Sequence, residues 1–439
     1  MPTRRALNLA SWAFLLLASA WFTYRGPVFL ASAGNYDFNL VYASSRAWLV
    51  GLNPYDRDHV QQAWLAAQGP PNVHPLGPRP SAVLLYPPSA FAALTPFAAL
   101  PFPIARALWS AANVACILGG ILIIARLAGL AGAPSRVFAA IALAFWPTLS
   151  ALRLGQTPLL VLGLVCLALS SRPGLARGAL LGLATAIKPQ LALLFIVYDL
   201  GRLRWRSGLV GLAVAAALFA LGAFRSDAAA IPWWHDWNAN LAAFAVGDDG
   251  NPTRANAIRH HMINLHYPLH AFTDNRDLVR AAVLAILGGL CLAYFLLDLR
   301  RGREPGEGRA PVVSLAMTAA VSLAIVYHRA YDAVFLFFPL ALAIHGLARR
   351  TPTDPTNATT LAPPRWMHAV TLALVLVHAL PTAIALVELA KRGSIPAALT
   401  DTTLWRALIV PHQAWALLAL VAWLVAIRAR SGAVTQRST

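Results

Sequence analysis

Long apolar runs with almost no charge recur from one end of this chain to the other, and no other feature narrows its fold as much. In hydrocarbon every backbone N–H and C=O must be satisfied within the protein, so such runs are helices or the strands of a closed barrel. About 20 residues at 1.5 Å each cross a hydrocarbon core of roughly 30 Å. The runs Ala6–Phe29, Ile104–Leu130, Leu209–Phe224, Leu278–Leu297, Pro311–Tyr327, Tyr331–Leu347, Met367–Leu389 and Leu404–Ile427 are each near that length and continuous, which selects helices. Two shorter pairs, Val137–Ala151 with Pro158–Leu169 and Leu175–Ile187 with Gln190–Leu200, bring the total to about twelve predicted spans, the pairs being tilted helices or hairpins that do not fully cross.

Composition agrees. The 439 residues are 58% hydrophobic and 12% charged, against roughly 25% charged in a soluble domain. The formal charge of +18 does not signal nucleic acid, because no basic helix or aromatic-interleaved basic patch carries it. The arginines fall in short clusters between apolar runs, as orientation signals do. With the N-terminus inside, the cytoplasmic side receives Arg4-Arg5, Arg126 to Arg136, Arg172 to Arg177, Arg202 to Arg206, Arg300 to Arg303, Arg349-Arg350 and Arg428 to Arg430. The alternation closes with both termini cytoplasmic. The N-terminal run imitates a secretory leader, with Ala31-Ser32-Ala33 as a cleavage site, but it exceeds a leader's usual 7–15 apolar residues, so a first transmembrane helix is expected. Cys116, Cys166 and Cys291 are odd in number, widely spaced and apolar in setting, which argues against disulfides or a metal site.

The opposite face carries two long loops, about residues 31–103 and 225–277, and tight apices at Arg153 to Gln156, Lys188-Pro189 and His328 to Asp332. In the first loop, Phe38 to Val50 has an amphipathic helical pattern, Asn53-Pro54-Tyr55-Asp56 reads as a turn, and Val83 to Leu100 is apolar but broken by prolines. Interfacial or re-entrant helices are expected there. No soluble domain or internal repeat is visible, so residues 1–439 read as one all-α transmembrane domain; Thr351 to Pro364 reads as a cytoplasmic loop.

Polar and titratable groups thus converge on one face. Asp37, just beyond the first run, is either a helix cap or a functional carboxylate at the membrane edge, where an ionisable group is costly to keep. Lys188 is a snorkelling lysine or a cation facing a substrate. His328 and Arg329 are helix-end polar residues or parts of a site, and Asp332 a cap or a partner of Arg329. Arg259-His260-His261, with His266 and His270, fits no strong metal-ligand spacing and reads as a polar, substrate-contacting or solvated loop. Asp56-Arg57-Asp58 looks like a metal–nucleotide D-x-D motif, yet Asp56 sits in a turn sequence. Trp233, Trp234 and Trp237 are interfacial anchors or sugar-stacking rings.

The segment Tyr36-Asp37-Phe38, with Tyr42, Ala43, Gly51 and Asn53 to Asp56, resembles the first outer loop of glycosyltransferase family 87. These are polyprenol-phosphate-mannose-dependent α-mannosyltransferases of the GT-C superfamily. The resemblance extends through Tyr86-Pro87-Pro88, Leu100 to Pro103, Gly155-Gln156-Thr157, Lys188-Pro189-Gln190 and Tyr327 to Asp332, in that order. It implies a GT-C helical bundle in a bacterial plasma membrane, acting on the extracytoplasmic side. It implies a hexose, mannose first, moved from a polyprenyl-phosphate donor to a glycolipid or glycan acceptor. Asp37 matches the general base, and His328, with Arg329 and Lys188, the donor-phosphate side. Tyr36, Tyr86, Gln156, Arg259, His260, His261 and Tyr331 are weaker substrate-binding candidates. Phosphate is already a good leaving group, so no second carboxylate is expected as acid. A lipid-monophosphate donor lacks the diphosphate that a D-x-D motif serves, so no metal or other cofactor is expected. A flippase of lipid-linked saccharides shares the apolar bundle, but transporters tend toward repeat symmetry and a midplane site. An O-antigen ligase or polymerase is disfavoured by an acid directly after the first helix.

Overall fold

The computed structural model describes residues 4–28, 36–77, 84–247, 250–300, 312–349 and 363–430. Ala31 to Ala33, the side chain of Tyr36, Arg301 to Arg303 and most of the Thr351–Pro364 loop lie outside the described residues. The described residues are helical, with no strand among them; the single β contact is an isolated antiparallel bridge between Met262 and Arg329.

In chain order the helices are α1 (Arg4–Thr23), α2 (Tyr36–Leu49), α3 (Arg57–Ala66), α4 (Pro88–Ala98), α5 (Phe102–Leu127), α6 (Gly132–Ala144) and α7 (Trp146–Leu154). There follow α8 (Pro158–Ser170), α9 (Leu175–Ile187), α10 (Pro189–Gly201), α11 (Trp205–Ala228) and α12 (Trp233–Val246). The last are α13 (Arg276–Arg300), α14 (Val312–Ile325), α15 (Phe337–Ala348), α16 (Arg365–Leu376), α17 (Thr382–Lys391) and α18 (His412–Arg430).

Six stretches are long and apolar enough to cross a membrane: Arg5–Val28, Phe102–Leu127, Trp205–Ala228, Arg276–Leu297, Ala330–Ala348 and His412–Arg430. A seventh forms if α6 and α7, bent by 47°, count as one broken span. The chain is therefore a multi-pass membrane protein. The remaining apolar segments of the twelve predicted are helices of 12 to 14 residues, which rise about 20 Å, short of the roughly 30 Å core. The run Met367–Leu389, read as one span, breaks into α16 and α17 at Val377–Pro381. Pro381 supplies no N–H, and the carbonyls freed at the break accept from elsewhere. Gln413 Nε2 donates to Val377 O (3.3 Å) and Leu380 O (3.0 Å), and the Trp146 N–H to Ala379 O (3.1 Å).

The fold divides into two compact units. One comprises residues 21–120 and 148–251, the other residues 1–20, 121–147 and 252–439. In the first, Gly178 and Gly182 on α9 meet α11 so closely that a Cβ on either would lie 2.6 Å from a carbonyl oxygen, of Ser207 or Gly211. Membrane helices associate through such small residues because lipid supplies no hydrophobic drive between them. Gly222 on α11 does the same for the backbone of Pro88, where a side chain would collide. That contact sets the segment Tyr86 to Ser89 in place. The predicted turn Asn53 to Asp56 is present, and Asp56 caps α3 by accepting from the His59 N–H at 2.9 Å, as a short acceptor at an N-cap does.

Two arginines counted among the orientation signals do other work. Arg177 holds Asp199 through two hydrogen bonds of 2.6 Å, with both residues buried, and Arg204 adds a third at 3.2 Å. The pair ties α9 to the end of α10. Removing one member of a buried pair leaves an uncompensated charge, at a cost of about 3–5 kcal/mol. Asp199→Ala should therefore lower the melting temperature of the detergent-purified protein sharply, whereas Arg177→Met with Asp199→Leu should recover much of the loss. Equal melting of the single and double variants would show that the pair contributes no more than its packing.

Candidate active site

In the unit that holds residues 21–120 and 148–251, three consecutive residues organise the surroundings of Asp37. α7 ends at Leu154, and Gly155 follows at φ +69°, a left-handed conformation that glycine adopts without strain. The chain turns there, and each residue of the turn reaches a different element. The carbonyl of Gly155 accepts from the indole of Trp109 at 2.9 Å. The amide of Gln156, itself buried, donates to Asp37 Oδ2. The hydroxyl of Thr157 pairs with the hydroxyl of Tyr86 at 2.9 Å. Asp37 lies in the first turn of α2 and is half-buried. The next residue anchors it: the Phe38 ring is buried and stacked on Trp109, with ring centroids 4.8 Å apart. The carboxylate is thus fixed from both sides by one indole, through Phe38 and through the Gly155 turn.

Tyr86 connects this turn to the Lys188 apex. Three residues after it, the Ser89 hydroxyl donates to Ala186 O at 2.8 Å, one residue short of the end of α9. Lys188 itself forms the junction between α9 and α10 and is buried to 7% exposure. So hydrogen bonds link Asp37 to Gln156 and Tyr86 to Thr157, and the Ser89 bond ties the Tyr86 segment to α9 two residues before Lys188. Of the tryptophans, Trp233 and Trp237 pack on the core of Trp48, Tyr55, Leu84 and Phe91, and the indole of Trp237 donates to Leu85 O at 3.1 Å. They are structural, a role the sequence did not suggest, while Trp234 is exposed.

The other unit builds a second constellation on Tyr327 to Asp332. His328 has no exposed surface; its Nδ1 pairs with Asp332 Oδ2 at 2.9 Å, while its Nε2 has no partner. Asp332 also accepts from the Arg329 N–H at 3.3 Å, and its own N–H donates to Arg329 O at 2.9 Å. Asp332 is more than a cap: it fixes the imidazole through Nδ1 and leaves Nε2 without a hydrogen bond, as carboxylate partners of histidine orient the ring. The H-x-x-x-D spacing was the available signal. The Arg329 guanidinium lies over the Tyr327 ring, and its Nε donates to the Tyr327 hydroxyl. Tyr331 is half-buried in the 3₁₀ turn that follows.

The loop Arg259 to Asn264 joins this turn. Met262 pairs with Arg329, the Ile263 N–H donates to His328 O at 3.1 Å, and the Asn264 amide donates to Val326 O at 3.2 Å. Arg259, His260 and His261 form a 3₁₀ turn directly before it, with the Arg259 guanidinium over the Tyr267 ring and the two imidazoles edge to face. Among the described residues no group of three or more His, Cys, Asp or Glu side chains is placed to hold a metal ion.

A model of glycosyltransferase family 87 matches residues 84–344. The match covers more than half of the chain. The chain belongs to glycosyltransferase family 87. No curated protein and no solved structure matches it. Family 87 membership makes the protein a membrane glycosyltransferase, with a sugar donor and an acceptor as its substrates. Lys188, Gln156, Tyr86, Arg259 to His261, His328, Arg329 and Tyr331 lie within the family match, and Asp37 precedes it.

The loop carries a pH dependence. Burial lowers His260 and His266 from 6.5 to about 4, with Lys391 adding to the shift at His260 and His270 at His266. Both rings are therefore neutral at pH 7. A depressed histidine contributes stability that is complete above its unfolded value and is lost as pH falls through the folded one. Limited proteolysis of residues 252–275 should be slow at pH 7 and accelerate between pH 6.5 and 4. Replacing both histidines with glutamine should flatten the profile; an unchanged profile would place the sensitivity elsewhere.

Proposed function

We propose that this family 87 enzyme moves a hexose, mannose first, from a polyprenyl-phosphate donor to a glycolipid or glycan acceptor. The reaction is placed on the extracytoplasmic face of a bacterial plasma membrane, with both chain termini cytoplasmic, in keeping with the arginine clusters. The observation that carries the reading is Asp37, held by Gln156 and by the stacked Phe38. A sugar hydroxyl is a weak nucleophile. A positioned carboxylate that accepts its proton during attack accelerates such a step typically 10²–10⁴-fold.

The chemistry is a single displacement. The acceptor oxygen forms a bond to the anomeric carbon as its proton passes to Asp37, and the bond from that carbon to the phosphate oxygen breaks. The electron pair leaves with polyprenyl phosphate, and the anomeric centre inverts, as it does when water attacks in an inverting glycosidase. A β-linked donor gives an α-glycoside. Charge gathers on the departing phosphate, and preorganised donors are most effective there. His328 suits that task, because Asp332 fixes the ring through Nδ1 and leaves Nε2 without a partner. Arg329 and Lys188 add positive charge. Cations on the protein make a divalent metal unnecessary, so transfer by purified enzyme should continue in excess chelator. Loss of activity restored by manganese or magnesium would sink that part of the mechanism.

Asp37→Asn tests the base. The amide oxygen can still accept from Gln156, so the fold should hold, and donor binding should be unchanged. Transfer from polyprenyl-phosphate mannose to extracted membrane glycolipid should fall by at least about 10²-fold. His328→Ala should differ by weakening donor retention as well as turnover. Wild-type transfer by Asp37→Asn would remove Asp37 from the mechanism.

A further inference from the structure

In the unit that holds residues 252–439, the segments leading into two membrane spans bring three arginines together. The one-turn helix His266–Leu269, which precedes α13, packs on the turn Trp405–Ile409, which precedes α18, so the two spans begin at one level. Tyr267 on that short helix and Trp405 on that turn share one buried core with Met262 and Val410. The arginines stand around it. The Arg259 guanidinium lies over the Tyr267 ring, 5.5 Å from its centroid. Arg406 follows Trp405 directly. Arg254 donates to the carbonyl of Ala271, in the turn after the short helix, at 2.7 Å.

Stacking on Tyr267 fixes the Arg259 fork without satisfying it: Nη1 is buried and has no hydrogen-bond partner. A buried donor without an acceptor is costly, and the charge is disfavoured as well. Burial lowers the Arg259 pKa, Arg254 and Arg406 lower it further, and Tyr267 and the exposed Asp274 oppose them. Arg406 meets Asp401 at 3.4 Å, but both side chains are exposed, where an ion pair contributes little. Guanidinium groups in excess about one ring, with a shielded donor unpaired, are complementary to an anion, and their planar fork matches phosphate oxygens. The border of the cluster is apolar. Leu404 and Leu408, on either side of Arg406, are 54% and 48% exposed, and Phe272 is 58% exposed. At the start of a membrane span such side chains enter the hydrocarbon while arginines stay at headgroup level. An anion free in water gains nothing from that border, whereas a phosphate esterified to a lipid does.

We propose that Arg254, Arg259 and Arg406 form a binding site for the phosphate of a membrane lipid, whose acyl chains lie against Leu404, Leu408 and Phe272. These residues are distinct from His328 and Arg329, assigned above to the donor phosphate, and the site stands whatever sugar donor the enzyme takes. Two sources share this chemistry: a phospholipid of the bilayer, or a phosphate in the headgroup of a glycolipid acceptor. The test is lipid retention by the full-length enzyme, purified in detergent and read by native mass spectrometry. The probe is phosphatidylglycerol, with diacylglycerol as the matching lipid that lacks phosphate.

Phosphatidylglycerol should be retained in preference to diacylglycerol. Arg406→Gln should reduce retention about tenfold, the loss of one charged hydrogen bond, and Arg259→Gln by at least as much. Arg406 bonds an exposed carboxylate, so its variant keeps the test valid even where Arg259→Gln fails to fold. Arg392→Gln, at an exposed arginine directly after α17, should leave retention unchanged. Displacement of the probe by extracted phosphate-bearing glycolipid would identify an acceptor headgroup as the occupant; displacement by unlabelled phosphatidylglycerol alone would identify a bilayer phospholipid. Equal retention of diacylglycerol, or full retention by both Arg406→Gln and Arg259→Gln, would overturn the site. So would an equal loss in Arg392→Gln, which marks diffuse charge attraction.

Discussion

A helix in hydrocarbon satisfies its own backbone, and a break in one does not. Where this chain interrupts an apolar segment, the freed groups must find partners in the protein, and the candidate site residues lie at these interruptions. The Gly155 to Thr157 turn binds Trp109, Asp37 and Tyr86 with three successive residues. The Lys188 junction separates two thirteen-residue helices. The Tyr327 to Arg329 turn is held by a loop from outside the bundle through the Met262 bridge and the Ile263 N–H. The break at Val377 to Pro381 shows the same requirement met without any candidate chemistry, by Gln413 and the Trp146 backbone.

Two buried side-chain pairs differ in how fully their polar atoms are used. Arg177 and Asp199 meet through paired hydrogen bonds, with Arg204 as a third member. Such an arrangement fixes geometry; a buried pair is weak evidence for stability beyond that. His328 and Asp332 are equally buried, but the imidazole keeps one nitrogen without a partner. An unsatisfied buried polar atom carries a cost of about 1–3 kcal/mol, a cost that the fully paired Asp199 carboxylate avoids.

The membrane class and the identity of the apices were readable from the sequence because both depend on local patterns: apolar runs, and polar residues between them. Helix lengths were less so. Hydropathy cannot distinguish a spanning helix from two short helices joined inside a protein, which is why Met367–Leu389 read as one span and is two helices. Long-range pairings were invisible for another reason. Gln156 and Tyr86 stood out as residues, but their partners Asp37 and Thr157 lie 119 and 71 positions away, and no spacing rule connects them. Asp332 was within reach, since four residues along a turn bring it to His328. Its sequence also fitted a cap, and only the geometry separates the two roles.

The family match begins at Leu84, well after Asp37, so the match alone says nothing of the proposed base. The connection is structural. Gln156 lies inside the matched region and donates to Asp37; Trp109, also inside, stacks on Phe38 and donates to the carbonyl beside Gln156. One matched residue therefore bonds the Asp37 carboxylate, and another packs on the residue after it, in the first turn of α2. A carboxylate that merely capped this helix would need neither. Its own helix would satisfy it through the N–H groups of the first turn, and no buried glutamine would have to be carried to it on a left-handed glycine.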